Sequence, residues 1–342
     1  MSNQPPIEVP QGAIRFNTDS QKMEFFAQDR WYEMATEVSS PIAGRGIWGG
    51  GLQGPYADPA HYSTNIIDMV QIQSLGNSSD FGDTTLAVTQ SAGCGDRTRG
   101  LFIGGYWPSA NNVINFITFA TQGNSTDFGD TIESVGKRGA FNNSTRGVVG
   151  GGGQDAPSPY GTTNVTEFVT IQSTGNATDF GDLTVARDRT AGAASPTRGV
   201  IFAGYSAPSP QAVMDFFTTA STGNAIDFGD PTKSDASMGD ATSNNIKGLY
   251  IGGGNPGFTT IDEITFTTTG NAIEFGDMPL GGRGGGGVAD PTRAVMGRGI
   301  SDTNYNNLFY VTIATRGNAG DFGDLTIRKG MAATTSNTNG GV

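Results

Sequence analysis

Twelve acidic side chains recur at matched positions, two in each copy of an eight-residue motif that the chain repeats six times. The motif Gly76-Asn77-Ser78-Ser79-Asp80-Phe81-Gly82-Asp83 returns at 123–130, 175–182, 223–230, 270–277 and 317–324, and only the fifth copy changes its first acid, to Glu274. Hard cations such as calcium need several carboxylate and carbonyl oxygens at one point. Each copy offers two carboxylates, so Asp80/Asp83 through Asp321/Asp324 are read as capping turns and pairing with arginines of a neighbouring strand. No metal and no other cofactor is expected. The arginines recur too, in Thr98-Arg99-Gly100, Thr145-Arg146-Gly147, Thr197-Arg198-Gly199, the degenerate Ile246-Lys247-Gly248 and Thr292-Arg293-Ala294. Their equivalent placement makes them architecture rather than a substrate-binding cluster.

The other residues able to do chemistry are single. One histidine, His61, cannot build a site that needs two imidazoles, and without an identifiable partner it is assigned a ligand contact rather than a general base. One cysteine, Cys94, forbids an intrachain disulfide and has no second thiolate for zinc; in Gly93-Cys94-Gly95 it reads as a packed small residue. The expectation is therefore a protein that is not an enzyme, with no catalytic residues.

Composition narrows the elements that must position these residues. Glycine supplies 53 of the 342 residues and proline 16, which excludes an all-helical chain. A hydrophobic fraction of 35% is low for two generous cores. Twenty basic against 32 acidic residues leave a formal charge of −12, which repels phosphate backbones and anionic lipid heads, so neither nucleic acid nor membrane insertion is expected. Residues 1–11 carry no secretion signal, and no apolar run approaches the ~18 residues of a membrane span.

Successive motifs end 47, 52, 48, 47 and 47 residues apart, close to the ~40–50 of a four-stranded propeller blade. From the last aspartate to the next basic signature the distance is 16, 16, 16, 17 and 16, a rigid half-unit. From each basic residue, beginning with Arg45, to the next motif asparagine it is 32, 25, 30, 26, 24 and 25, so the length variation lies there. After each signature comes a glycine-flanked apolar run such as Gly147-Val148-Val149-Gly150, read as a buried inner strand where backbones approach closely. Next comes a Thr-rich alternating run such as Val165–Ile171. With the segment before the signature and the segment at the Asp-Phe-Gly-Asp turn, each unit holds four strands. The reading is an all-β chain: a six-bladed β-propeller over residues 41–342, its first blade closed by a C-terminal strand within 331–340, preceded by a small N-terminal β segment over residues 1–40.

The glycine doublets followed by an aromatic, Gly104-Gly105-Tyr106 most clearly, make the repeat region resemble Kelch-type propellers. The form Gly175-Asn176-Ala177-Thr178-Asp179-Phe180-Gly181-Asp182-Leu183-Thr184 is similar to repeats of structural proteins of tailed phages. Gly12-Ala13-Ile14-Arg15-Phe16-Asn17-Thr18-Asp19, with Glu24-Phe25-Phe26 and Trp31-Tyr32, resembles a segment that recurs in phage fibre proteins. These resemblances imply a virion component, a tail fibre, head fibre or other appendage, assembled in the host cytoplasm among other virion proteins and homo-oligomeric, a trimer being one form. The Asp motif also resembles the structural Asp-box turns of sialidases, which keeps a glycan-active enzyme as an alternative beside a non-viral Kelch-like adaptor.

Two sets of residues carry the expected binding. Ile14, Phe16, Phe25, Phe26, Trp31 and Tyr32 exceed what a three-stranded patch can bury, and they are assigned to attachment or oligomerisation. The variable loops at 52–64, 106–112, 154–164, 205–212, 255–260 and 300–307 emerge on one face of a propeller. Their Tyr56, His61, Tyr62, Trp107, Tyr160, Tyr205, Phe258 and Tyr305 are assigned to a face that meets a host-surface glycan, a host protein or a partner virion protein.

Overall fold

The computed structural model describes residues 9–17, 22–33, 44–53, 62–106, 108–154, 161–255, 257–301 and 305–341. Among them every regular element is a β-strand, and every sheet is antiparallel. The chain divides into two compact units, residues 1–43 and 44–342.

The first unit is a three-stranded sheet of Ile14–Asn17, Lys22–Ala27 and Arg30–Glu33. Register places Ile14, Phe25 and Tyr32 in one row on one face, with Phe25 and Tyr32 stacked at 5.5 Å between centroids. On the other face the Arg15 guanidinium lies 4.0 Å from the Trp31 ring and 2.7 Å from Glu24, while Phe26 meets Trp31 edge-on at 5.3 Å.

The second unit holds six four-stranded sheets. The first consists of Ala333–Ser336, Arg45–Gly49, Ile66–Gln71 and Ser79–Asp83. The second is Ala92–Gly95, Arg99–Tyr106, Ala110–Thr118 and Thr126–Asp130, and the third Gly139–Asn142, Arg146–Gly150, Val165–Thr170 and Thr178–Asp182. The fourth is Ala191–Ala194, Arg198–Phe202, Met214–Thr218 and Ile226–Gly229. The fifth is Asp240–Ser243, Lys247–Ile251, Thr260–Thr265 and Ile273–Asp277, and the sixth Gly287–Ala289, Arg293–Gly297, Asn307–Thr312 and Gly320–Asp324. The C-terminal strand thus pairs with Arg45–Gly49, Ser336 opposite Gly46 and Ala333 opposite Gly49.

The eight-residue motif joins one sheet to the next. Its phenylalanine is buried in every copy, from Phe81 to Phe322, and each such ring contributes roughly 2–3 kcal/mol of apolar burial. The N–H of Asp83 donates to the side-chain oxygen of Asn124 in the following copy at 3.0 Å. The same bond links Asp130 to Asn176, Asp182 to Asn224, Asp230 to Asn271 and Asp277 to Asn318, and then Asp324 back to Asn77. Each motif's first glycine also donates its N–H to the preceding copy's phenylalanine carbonyl, Gly123 to Phe81 and so on round to Gly76 and Phe322. Gly82, at φ +150°, must be glycine because a Cβ would collide with the Gly123 carbonyl.

The expected pairing of motif acids with repeated arginines does not occur among the described residues. The guanidinium groups of Arg99, Arg146, Arg198 and Arg293 instead lie 4.7, 4.8, 4.9 and 4.8 Å from the rings of Phe116, Phe168, Phe216 and Tyr310 on the adjoining third strand. They donate onward to carbonyls of the following sheet, at Ile171, Thr219, Phe266 and Ile72. Arg45 does the same to Phe119. The reason is lateral distance: arginine sits on the second strand and the acids on the fourth, about 10 Å apart across two strand spacings. In the fifth sheet Lys247 bonds Glu263 of its own sheet at 2.9 Å, and Arg316 of the sixth sheet reaches the same carboxylate.

Six hydrophobic clusters each draw on two consecutive sheets, and one joins Trp48, Val70 and Ile72 to Val288, Leu308 and Phe322, bringing the sixth sheet onto the first. Between neighbouring sheets, backbone comes close to backbone at the first strands, whereas second-strand glycines such as Gly147 and Gly199 meet the side chains of Cys94 and Phe141. A Cβ at Gly93 would strike Thr334, and one at Gly192 would strike Ala140. Three fully buried ion pairs, Lys329–Asp68 at 2.8 Å, Arg138–Glu167 at 2.9 Å and Arg187–Asp215 at 2.9 Å, fasten the segments between sheets onto third strands.

Candidate binding face

Every connector from a motif to the next first strand holds one left-handed residue at the same place in the repeat. These are Gln90 (φ 58°), Lys137 (61°), Arg189 (55°), Met238 (60°), Gly284 (60°) and Met331 (53°). The fifth connector also holds Gly286 at φ 79°. Left-handed backbone costs a non-glycine residue about 1 kcal/mol. Gly284 shows that glycine serves the turn, so five connectors carry side chains at a conformational cost.

The connectors bond to one another through these residues. The N–H of Lys137 donates to the Gln90 carbonyl (2.9 Å), Gln90 to Met331 (2.8 Å), Met331 to Gly284 (2.5 Å), Gly284 to Met238 (2.9 Å) and Met238 to Arg189 (3.1 Å). Between Lys137 and Arg189 stands Asp188, whose carboxylate lies 3.6 Å from the Lys137 ammonium and 3.8 Å from Arg189 Nε. All six residues line one cavity of about 80 Å³, together with Ser91, Arg138, Thr190 and Asp240.

The same connectors are tied to the starts of the variable loops. Thr89 bridges Tyr106, Gly136 bridges Gly153, Asp188 bridges Tyr205, Arg283 bridges Ile300 and Gly330 bridges Leu52, while the Ser237 carbonyl accepts from Gly254. Cavity and loops therefore share one face. Tyr56, His61, Trp107 and Tyr160 lie outside the described residues. Tyr62 is 59% exposed, on a short ribbon of Leu52–Gln53 with Tyr62–Ser63. Tyr205 opens a second ribbon with the Arg189 guanidinium 4.6 Å from its ring, and Arg298 lies 3.5 Å from Tyr305. Phe258 folds back onto Gly254 and donates its N–H to Gly253. Of the four described loop aromatics, Tyr62 presents the most open ring.

Comparison with known proteins found no family model that matches the chain and no curated protein that matches it.

Burial pushes the Asp240 carboxyl up to about 6, although the Gly286 and Gly285 N–H groups favour its charged form, Gly285 at 2.6 Å. Cys94 is inert by comparison, because burial, with Asp96 nearby, pushes its thiol up to about 12. Among the described residues no three His, Cys, Asp or Glu side chains gather as a metal cage. The face can hold a small polar group: its cavity is lined by donors (Lys137, Arg189), acceptors (Asp240, Gln90) and thioethers (Met238, Met331).

Sequence reasoning passed over the connectors because their constant length read as scaffold. A signal was nonetheless present. Seven residues after the last aspartate, eight in the fourth copy, the repeats carry Gln, Lys, Arg, Met, Gly and Met at a fixed structural position. The attachment residues divide: Ile14 and Phe16 are 59% and 56% exposed, whereas Phe25, Phe26, Trp31 and Tyr32 are half-buried within their own sheet.

Proposed function

We propose that the six sheets are the blades of a six-bladed β-propeller closed by Ala333–Ser336, and that the chain is a non-enzymatic structural protein of a tailed-phage virion. It attaches through residues 1–40 and presents the face of the variable loops and connector ring to a host surface or a partner virion protein. The observation that carries the propeller is the recurrence of the Asp-to-Asn bond at all six junctions, the last returning from Asp324 to Asn77. A ring with no free junction turns all its second-to-third-strand loops to one side, and loops on a rigid frame are suited to recognition.

The virion role draws its support from the resemblance of residues 12–32 to phage fibre segments and from the apolar face that Ile14 and Phe16 leave open. Particles from the source phage should contain this chain at fixed stoichiometry by mass spectrometry and immunogold imaging. Ile14→Asp with Phe16→Asp should abolish incorporation while the melting of residues 44–342 is unchanged. Particles that carry the double variant at normal occupancy would remove attachment through this segment.

A further inference from the structure

We propose that the cavity ringed by Gln90, Lys137, Arg189, Met238 and Met331 binds the acetamido group of an N-acetylated sugar. The inference rests on reading this face as the recognition surface and names what the face recognises.

Three features select the ligand. First, the charges at the cavity balance: of its lining groups, Lys137 and Arg189 are matched by Asp240 in the lining and by Asp188, which lies 3.6 and 3.8 Å from them, and Arg138 is already paired with Glu167. A balanced site favours a neutral dipolar group over a free ion. Second, the polar groups have both senses. Gln90 Nε2 is taken up by Met331 Sδ at 3.3 Å, which leaves its Oε1 buried with no hydrogen-bond partner. A buried acceptor of this kind calls for an N–H donor, and a ligand offers one once the Gln90 side chain turns its Oε1 into the cavity. Arg189, which also lines the cavity, has its guanidinium 4.6 Å from the Tyr205 ring and supplies donors for a carbonyl oxygen. Third, Met238 and Met331 offer adaptable apolar surface of the kind that packs a methyl group. An acetamido group has one N–H, one carbonyl and one methyl. A cavity of about 80 Å³ admits a group of this size and leaves the sugar ring outside, on the face that carries the exposed Tyr62.

The test is titration of the full chain with N-acetyl-D-glucosamine, followed by calorimetry and by ligand-observed NMR. D-glucose and D-glucosamine serve as matched sugars without the acetyl group. Saturable binding of the acetylated sugar, at least tenfold tighter than of either control and displaced by free acetamide, is expected. Gln90→Leu and Arg189→Leu should each weaken it about tenfold or more, and Lys233→Met, on an exposed part of a connector, should leave it unchanged. Thermal melts establish that each variant folds, and acetamide competition on the unaltered chain needs no variant. Equal binding of glucose, failure of acetamide to compete, or full affinity in folded Gln90→Leu would overturn the assignment. Tighter binding of Nα-protected N-acetyl-lysine than of the sugar would overturn the sugar as the source of the group. Loss of sugar binding alongside intact particle incorporation would sink the pocket alone. Sugar binding by a chain absent from particles would sink the virion role alone.

Discussion

The side-chain oxygen of Asn337 accepts the backbone N–H of Arg45 at 2.8 Å, across 292 residues of sequence. Elsewhere the equivalent bond spans three residues: Asp96 to Arg99, Asn143 to Arg146, Asn244 to Lys247 and Asp290 to Arg293. In the fourth sheet the Ser195 hydroxyl accepts from the Arg198 N–H at 3.1 Å, so a local turn in five sheets is rebuilt in the first sheet from the two ends of the unit. Asn337→Ala should destabilise the second unit by about 1 kcal/mol, and Asn337→Asp should restore it, because Asp96 and Asp290 already serve that place. Deleting 331–342 should cost far more, since it removes the pairing of Ala333–Ser336 and opens the edge of Arg45–Gly49. Thermal melting and urea titration measure both, and an unchanged melt of the truncated chain would refute closure by this strand.

Two glycines of one motif separate backbone strain from crowding. Gly76 and Gly82 have φ of +145° and +150°, yet a Cβ at Gly76 meets nothing within 4 Å while one at Gly82 collides with Gly123. Gly76→Ala should cost about 1 kcal/mol from conformation alone. Gly82→Ala should cost roughly 3 kcal/mol, overpacking added to strain. Similar urea midpoints for the two variants would show that the motifs do not approach as closely as described.

The Arg187–Asp215 pair is fully buried, with Arg187 Nε also bonded to the Ala203 carbonyl at 2.7 Å. Removing one partner strands a charge, so Arg187→Met should destabilise by about 3–5 kcal/mol. Arg187→Met combined with Asp215→Leu should recover much of that loss. A double-mutant cycle on urea stability measures the coupling, and strictly additive losses would mean that the pair is not coupled.

Asp240 predicts a pH dependence of definite sign. Its carboxyl titrates at about 6 in the folded chain, against about 3.9 when unfolded. Between those values the folded state holds more protons, so this group's contribution makes stability fall as pH rises from about 4 to about 6 and then level off. Its size is at most about 3 kcal/mol, reduced by cavity water. Asp240→Asn should match the parent near pH 4 and exceed it above pH 6. Parallel stability curves for the two chains over pH 4–7 would contradict a carboxyl whose burial outweighs its two backbone hydrogen bonds.

The repeat unit, its four strands and the place of a C-terminal strand in the first sheet were legible in the sequence alone. Each depends on local pattern: alternation in Val165–Thr170, glycine at turns, and a strand-like segment after Met331. Burial of the motif phenylalanines follows from the same chemistry. The partners of the polar groups were not legible. The Asn124 side chain reaches back to Asp83, Arg99 reaches forward to Ile171, and Asp68 meets Lys329, and these distances in sequence vary from 41 to 261 residues. Such contacts depend on how one sheet lies against the next, which no periodicity within a strand encodes. The connector residues belong to the same class. Their shared column was visible in the repeat, but only the tertiary structure turned Gln90, Lys137, Arg189, Met238 and Met331 toward a single cavity, because five separate chain segments had to be brought together before their side chains could meet.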